Sequence, residues 1–425
     1  MTPDPVRPHV LVVAVGTAGD LYPFLRIARE LIARGRRVTL LAPAVHAHAV
    51  ARAGVPFHGL GTEEEYRAAL AHPDVWHPRK GFRVLWEGMR GNVDTLPAFI
   101  QALPAGEPLA MLAHPLALVG ASLARTRRPD LRIVAAWLAP ANFRTVHDPM
   151  TFGPLPMPRW VPRGWRRWLW RRIDARMIDP VAVPDINAAH ARYGLPPVSH
   201  FIDRLQSIAD ANLTLFPPWF APTPPDWPRP LAEGQFALYD PHVGATLPDE
   251  LERFLAAGDA PVVLTPGSGN RQAARWLDRA LAGTRRLGRR AVVLTAHREQ
   301  VPEPLGPDAL WQPYVALAAL LPRAAALVHH GGIGTTAEAL RAGVPQVIVP
   351  LAYDQFDNAA RVVALGVGAR ESGGTAGASP RALARTLRRL LADADVRAAC
   401  DRVAALAAAD AARDLGAQVE DALDA

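Results

Sequence analysis

Two histidines, three glycines, two threonines and an acid are crowded into Val328-His329-His330-Gly331-Gly332-Ile333-Gly334-Thr335-Thr336-Ala337-Glu338, and Asp354-Gln355 follow a short way on. Gly331, Gly332 and Gly334 allow a tight turn and let backbone approach a ligand where a Cβ would stand in the way. The apolar run at 325–328 predicts a buried parallel strand, and Thr335 and Thr336 then fall in the first turn of a helix that ends before Gly343. A helix start offers free N–H groups and the positive end of the macrodipole, so its natural occupant is an anion such as phosphate. His330 adds a donor beside it, Glu338 comes one turn later, and Asp354-Gln355 follow the next apolar strand, 347–349. Carboxylates and amides are what sugar hydroxyls require. The glycines alone suit any α/β protein, but the whole constellation reads as a site for a sugar joined to a diphosphate.

The elements that must position these groups can be read outward from them. Residues 10–15 are continuously apolar, Gly16-Thr17-Ala18-Gly19 is a turn, 21–34 has helical spacing closed by Gly35, and 38–42 is a second strand. That is the opening βαβ unit of a doubly wound sheet. The second half repeats the pattern with 262–265, 271–286 and 291–295, and Thr265-Pro266-Gly267-Ser268 at the first strand's end offers another phosphate contact. Between the halves, 216–230 is too dense in proline for helix or central strand and predicts a stiff linker. The expected organisation is α/β, with an acceptor domain at 1–216, a linker at 217–250, a donor domain at 251–405 and a final helix at 406–425. Gly16, Thr17, Gly19 and His114 are placed on the first domain's side of the cleft. A base for deprotonating an attacking hydroxyl should come from that side, and Asp20, just after the first βα turn, is the choice. An aspartate at a helix start is intrinsically a weak base and could serve only as a helix cap. His114 and His147-Asp148 are held in reserve.

The motif from 328 to 355 resembles the donor-site signature of the UDP-glycosyltransferase superfamily, inverting enzymes of the GT-B fold with two Rossmann-like domains facing each other across a cleft. The resemblance implies that His330 contacts the diphosphate and that Gly332, Gly334, Thr335 and Thr336 hold it through amides and hydroxyls. It further implies that Glu338 binds the ribose, that Asp354 and Gln355 grip the sugar, and that the final helix at 406–425 crosses back to the first domain. Tyr314-Val315 stand where the family usually places a Trp and a small apolar residue on the base, and Ala316 replaces the usual Pro. Gly16-Thr17-x-Gly19-Asp20-x-x-Pro23 is similar to the subgroup of sterol, antibiotic and rhamnolipid glycosyltransferases, which carries Asp where many members have His. Further segments, among them Pro73-Asp-Val-Trp-His-Pro78, Phe216-Pro-Pro-Trp-Phe-Ala-Pro222 and Asp354-Gln-Phe-Asp-Asn358, resemble rhamnolipid-forming rhamnosyltransferases. That likeness implies transfer of L-rhamnose from dTDP-L-rhamnose to the hydroxyl of a 3-(3-hydroxyalkanoyloxy)alkanoate. A UDP-glucose-dependent sterol or natural-product glucosyltransferase is the alternative, and a silent auxiliary partner is a rival from another class.

Composition bounds the rest. A chain of 425 residues, half of them apolar, is long enough for two full cores. Its single cysteine, Cys400, excludes an internal disulfide and fits a reducing compartment. The opening residues 1–8 lack the design of a secretory signal, and 109–124, the most apolar window, is too short and interrupted to span a bilayer. The expected location is therefore cytoplasmic. The formal charge of +7 comes almost wholly from scattered arginines, Lys80 being the only lysine, and does not suggest nucleic acid. Gly16-x-x-Gly19 lacks the dinucleotide spacing, and Asp393-Ala-Asp395 lies in an alanine-rich helical pattern, so neither an oxidoreductase nor a metal site is expected. No cofactor is expected beyond the nucleotide-sugar co-substrate. Residues 160–172 interleave tryptophan with arginine, a pattern suited either to an anionic membrane surface, peripheral on the inner membrane, or to a surface helix with a packed Trp stripe.

Overall fold

The computed structural model describes residues 7–425 apart from 152, 154–156, 159 and 242–245; most of the leader reading at 1–8 therefore lies outside the described residues. Two parallel sheets carry the chain. The first runs in the order Phe57–Leu60, Val38–Pro43, His9–Val13, Leu109–Ala113, Arg132–Trp137, Ala211–Thr214, Leu231–Ala232. The second runs Ala309–Gln312, Ala291–Leu294, Val262–Thr265, Ala326–His329, Gln346–Ile348, Gly368–Arg370. Continuous apolar runs form these strands because helices cover both faces of a parallel sheet, leaving no solvated side for polar residues. Val10 to Val13 and Val262 to Leu264 are accordingly buried along their whole length.

Each sheet reverses its winding once. In the first the reversal lies between His9–Val13 and Leu109–Ala113, and in the second between Val262–Thr265 and Ala326–His329. Strands diverge there, and the crevice beyond their carboxyl ends is where such sheets bind ligands. The turns at Gly16, Gly267 and Gly331 all lie at these points, so the topology alone brings the three glycine turns to one cleft.

The expected linker is corrected at its start. Phe216, Phe220, Ala221 and Trp227 are buried in the first domain, Trp227 stacks on Phe143 at 4.1 Å, and Leu231–Ala232 forms the sheet's seventh strand. Aromatics set between the prolines anchor a stretch whose prolines merely stiffen it. The crossing back is corrected too: the helix Ala394–Ala411 runs through position 405, the chain meets the first domain by Asp410, which accepts from Trp219 Nε1 at 2.5 Å, and the carboxylate of Asp414 caps the helix Leu415–Asp424 by accepting from Ala417 N at 2.9 Å. That last helix buries Leu415, Val419 and Leu423 against Leu21, Leu25 and Leu31 of the first domain. Buried Arg36 fixes its end with two bonds to Asp424, at 2.7 and 3.0 Å.

Candidate active site

The glycine turn after Ala326–His329 is built around two histidines with opposite duties. His329 is fully buried, accepts from Gly331 N at 3.2 Å and pairs with Gln346 at 2.9 Å; burial holds its pKa down to about 3, so it is a neutral structural group. Gly331 has φ +97°, and a Cβ there would lie 2.6 Å from Ile348. The His330 ring is held between Gly267 and Gly332, since a Cβ on either would come within 2.6 Å of it. Burial lowers its pKa to about 4, and its buried Nδ1 has no partner among the described residues. A neutral imidazole with an unmet polar atom in a glycine cradle suits an incoming phosphate oxygen.

The helix Ile333–Arg341 starts at this turn. Gly334, Thr335 and Glu338 line a cavity of ≈ 290 Å³ together with Gly267, Ser268, Tyr314 and Val315 from the same domain and Gly19 and Tyr22 from the other. Tyr314 is 44% exposed and donates to Asp240 at 3.3 Å, which sets a ring at the cavity mouth. Arg341 bonds only Oε2 of Glu338, leaving Oε1 for a ligand, and burial raises the Glu338 pKa. Thr336 is a correction. It is fully buried, its hydroxyl donates to Gly332 O at 3.0 Å and its amide to the same oxygen at 2.9 Å, so it stabilises the turn and has no donor left for phosphate.

The Asp354-Gln355 pair divides similarly. Gln355 is 3% exposed and its amide oxygen accepts from Leu351 N at 2.8 Å and Ala352 N at 3.1 Å, so that oxygen shapes the loop and cannot receive a sugar hydroxyl. Asp354 is oriented by Asn358, whose amide donates to Asp354 Oδ2 at 2.7 Å and to Gly331 O at 2.9 Å. Asn358 thus joins the sugar loop to the glycine turn; it stood in the quoted motif without a role. Burial, with a further contribution from the Asp20 charge, raises the Asp354 pKa to about 7.

Across the cleft, Asp20 is the third residue of the helix Ala18–Ala33 and completes a capping box with Thr17. Its Oδ2 accepts from Thr17 N at 2.7 Å and from the Thr17 hydroxyl at 3.2 Å, leaving Oδ1 without a partner among the described residues. Burial lifts its pKa to about 6, overcoming the opposing Thr17 hydrogen bonds. Gly16, at φ +124°, is obligatory beside it: a Cβ would fall 2.2 Å from Asp20 Oδ2. Capping thus occupies one oxygen of the side chain and leaves the other open, so it does not preclude a base role.

His114 is a second correction. It caps the turn Pro115–Ala117 by accepting from Leu116 N at 3.2 Å, packs by Phe24, and is held by burial at a pKa of about 3, so it offers the cleft no proton acceptor near neutrality. Asp148 is engaged by Arg361 of the second domain at 3.0 Å. Asp393 caps the helix Ala394–Ala411, and among the described residues no group of three or more His, Cys, Asp or Glu is placed to hold a metal ion.

Sequence reasoning missed the contacts that close the domains on each other. Tyr353, the only non-glycine among the described residues with positive φ, 57°, donates to Val75 O of the first domain at 2.5 Å. Asp357 accepts from Thr151 N at 2.8 Å and from Arg361 at 2.8 Å. Within the first domain, Tyr66 lies beside His46, whose Nε2 sits 3.1 Å from Gly16 O, and it feels the charges of Asp20 and, from the second domain, Arg271. No local periodicity announces these partners.

Two facing Rossmann-like domains with a phosphate cradle on one side and a carboxylate on the other define a nucleotide-sugar glycosyltransferase of the GT-B fold. The comparisons with known proteins agree. Residues 10–105 match the glycosyltransferase family 28 N-terminal domain, and residues 290–419 the erythromycin biosynthesis protein CIII-like C-terminal domain. The chain is 32% identical over 418 residues to O-mycaminosyltylonolide 6-deoxyallosyltransferase of Streptomyces fradiae, covering 92% of this chain and 89% of that one. In fold it is similar to the glycosyltransferase of kitacinnamycin, with TM-score 0.69 and 22% identity over 98% of this chain and 100% of that one. It is also similar to the glycosyltransferase VinC in complex with dTDP, with TM-score 0.63 and 22% identity over 98% of each chain. The chain belongs to the family 28 and erythromycin CIII-like glycosyltransferases, and it is an enzyme of that class.

Proposed function

We propose that this glycosyltransferase moves L-rhamnose from dTDP-L-rhamnose to the free hydroxyl of a 3-(3-hydroxyalkanoyloxy)alkanoate, with inversion, to give a mono-rhamnolipid. The observation that carries the chemistry is that Asp20 of the first domain lies close enough to Asp354 of the second for its charge to act on that carboxyl, while His330 packs on Gly267, which lines the cavity between the domains. The acceptor O–H proton goes to Asp20 Oδ1 as the acceptor oxygen bonds to the anomeric carbon. The bond from that carbon to the diphosphate breaks, and the leaving dTDP keeps the electron pair. His330 and the amides at Gly334 and Thr335 stabilise the charge that develops on it, a task for fixed dipoles that calls for no metal or further cofactor. The elevated pKa of Asp20 improves it as a base, because the best base titrates near the working pH.

Support for an acidic acceptor comes from Arg271. It is exposed on the loop after Val262–Thr265, close enough to Tyr66 to act on its hydroxyl, and it makes no ion pair among the described residues. An alkanoate carboxylate would complete it at the mouth that leads to Asp20. The enzyme would work from the cytosol at the inner face of the membrane, where a lipid acid collects. A second reading, a glycosyltransferase for a macrolide or other natural product, is favoured by the identity to the Streptomyces fradiae enzyme.

Calorimetry with dTDP-L-rhamnose, UDP-glucose and UDP-N-acetylglucosamine, followed by turnover on the hydroxyalkanoyloxyalkanoate and on a macrolide aglycone, tests the two. Selective binding of dTDP-rhamnose with glycolipid formation is expected. Turnover of the aglycone alone would transfer the assignment to the natural-product branch.

A further inference from the structure

We propose that the outer face of the helix Arg163–Met177, with Trp160 ahead of it, is a docking surface for an anionic lipid bilayer. The structure splits the Trp-Arg stretch into two edges. Arg166, Trp170 and Asp174, one turn apart, are the buried edge: Arg166 donates to Val146 O at 2.7 Å, and Arg144 lies 4.4 Å over the Trp170 ring while pairing with Asp174. A helix whose tryptophans served only the core would be finished there.

Trp165, Trp168 and Leu169 instead point outward, 65%, 55% and 38% exposed, and Trp160 is 82% exposed. These are four of the seven large exposed apolar side chains among the described residues, and the other three are scattered. Single exposed apolar residues need no explanation, but a cluster of this kind marks an interaction site. Arg163, Arg167, Arg171, Arg172 and Arg176 surround it, all exposed. The helix's only acid is the buried Asp174, and among the described residues the one carboxylate paired with these five arginines is Asp203, 3.2 Å from Arg171. Arg163, Arg167, Arg172 and Arg176 make no ion pair among the described residues.

That charge selects the occupant. A second copy would set five arginines against five arginines, a like-charge juxtaposition that opposes association. An acidic headgroup layer offers the complement to these arginines, while indole rings favour the boundary between headgroup and acyl chain. Among the described residues no helix is long and apolar enough to cross a membrane, so the contact is with the surface. Docking would present the cleft to a lipid acceptor and in that purpose rests on the proposed function, but it is measurable without acceptor or donor.

The test is flotation of the full chain with phosphatidylcholine vesicles and with vesicles containing phosphatidylglycerol. Binding is expected only to the second. The double change Trp165→Ser/Trp168→Ser and the triple change Arg163→Glu/Arg167→Glu/Arg172→Glu should each reduce it at least tenfold while melting temperature and donor binding stay as in the parent. Absence of binding to acidic vesicles, equal binding by the folded variants, or a concentration-dependent dimer that the Trp pair abolishes would each overturn the proposal. Vesicle binding without turnover of the hydroxyalkanoyloxyalkanoate would leave the docking surface standing and remove the lipid acceptor.

Discussion

Tyr353 reaches out of the second domain and donates its hydroxyl to the Val75 carbonyl of the first at 2.5 Å, from a left-handed backbone conformation with φ 57°. A bulky residue held there costs about 1–3 kcal/mol, which the surrounding contacts must offset. Asp354 is the next residue. The loop carrying it is therefore shaped partly by the opposite domain, and Asp357 repeats the tie through Thr151 and Arg361. Tyr353→Phe should lower kcat roughly tenfold, in keeping with about 1.4 kcal/mol of lost positioning, with little change in the melting temperature. Equal kcat in the variant would show that closure does not shape the sugar loop.

Asp20→Asn keeps the shape of the side chain and an oxygen to cap the helix, but removes the proton acceptor. Turnover should fall by roughly 10²- to 10⁴-fold with donor affinity retained. In the parent enzyme kcat/KM should fall as pH drops through the range in which first Asp354, with a pKa of about 7, and then Asp20, with a pKa of about 6, protonate. A profile unchanged down to pH 4.5 would remove Asp20 as the base.

Asp354 is strained by its charge. Its pKa rises from 3.8 to about 7 on folding, so between these values the folded state binds more protons than the unfolded one, and this group's contribution to stability falls as pH rises through the window. Asp354→Asn should therefore raise stability at pH 8, on the order of 1 kcal/mol and seen as a higher melting temperature, with little gain at pH 4, and should abolish turnover. Equal gains at both pH values would refute the electrostatic origin.

Thr335 and Thr336 separate the ligand-facing hydroxyl from the structural one. Thr335→Val should weaken donor binding roughly tenfold, as expected for a lost hydrogen bond to a charged group. Thr336→Val should lower stability by about 1 kcal/mol and leave the donor dissociation constant within twofold. Calorimetry and thermal melts on the two variants suffice, and a reversed pattern would put Thr336 back among the phosphate ligands.

How far such features can be read in advance depends on how local their causes are. Continuous apolar runs at Val10 to Val13 and Val262 to Thr265 are visible because a parallel strand is buried on both faces, and the turns at Gly16, Gly267 and Gly331 are visible because only glycine fits them. Thr336 looked like its neighbour, yet the helical period returns it beneath Gly332, and that orientation depends on which face of the helix meets the core. Trp227 gave no periodic signal among prolines, although stacking on Phe143 brings its segment into the first domain. Tyr353 and Val75 lie 278 residues apart in the chain, and nothing in either neighbourhood names the other. The cleft's floor was legible, but the fastenings across it were not.

The return of the chain to the first domain, made by the end of the helix Ala394–Ala411, has a mechanical meaning. The polypeptide passes between the domains twice, once after Leu231–Ala232 and once at the end of that helix. A body joined to another at one point can swivel in any direction, whereas one joined at two can turn freely only about the line between them. Two crossings therefore hold the domains against relative rotation more firmly than one would, and the Tyr353 hydrogen bond to Val75 ties them at a third place.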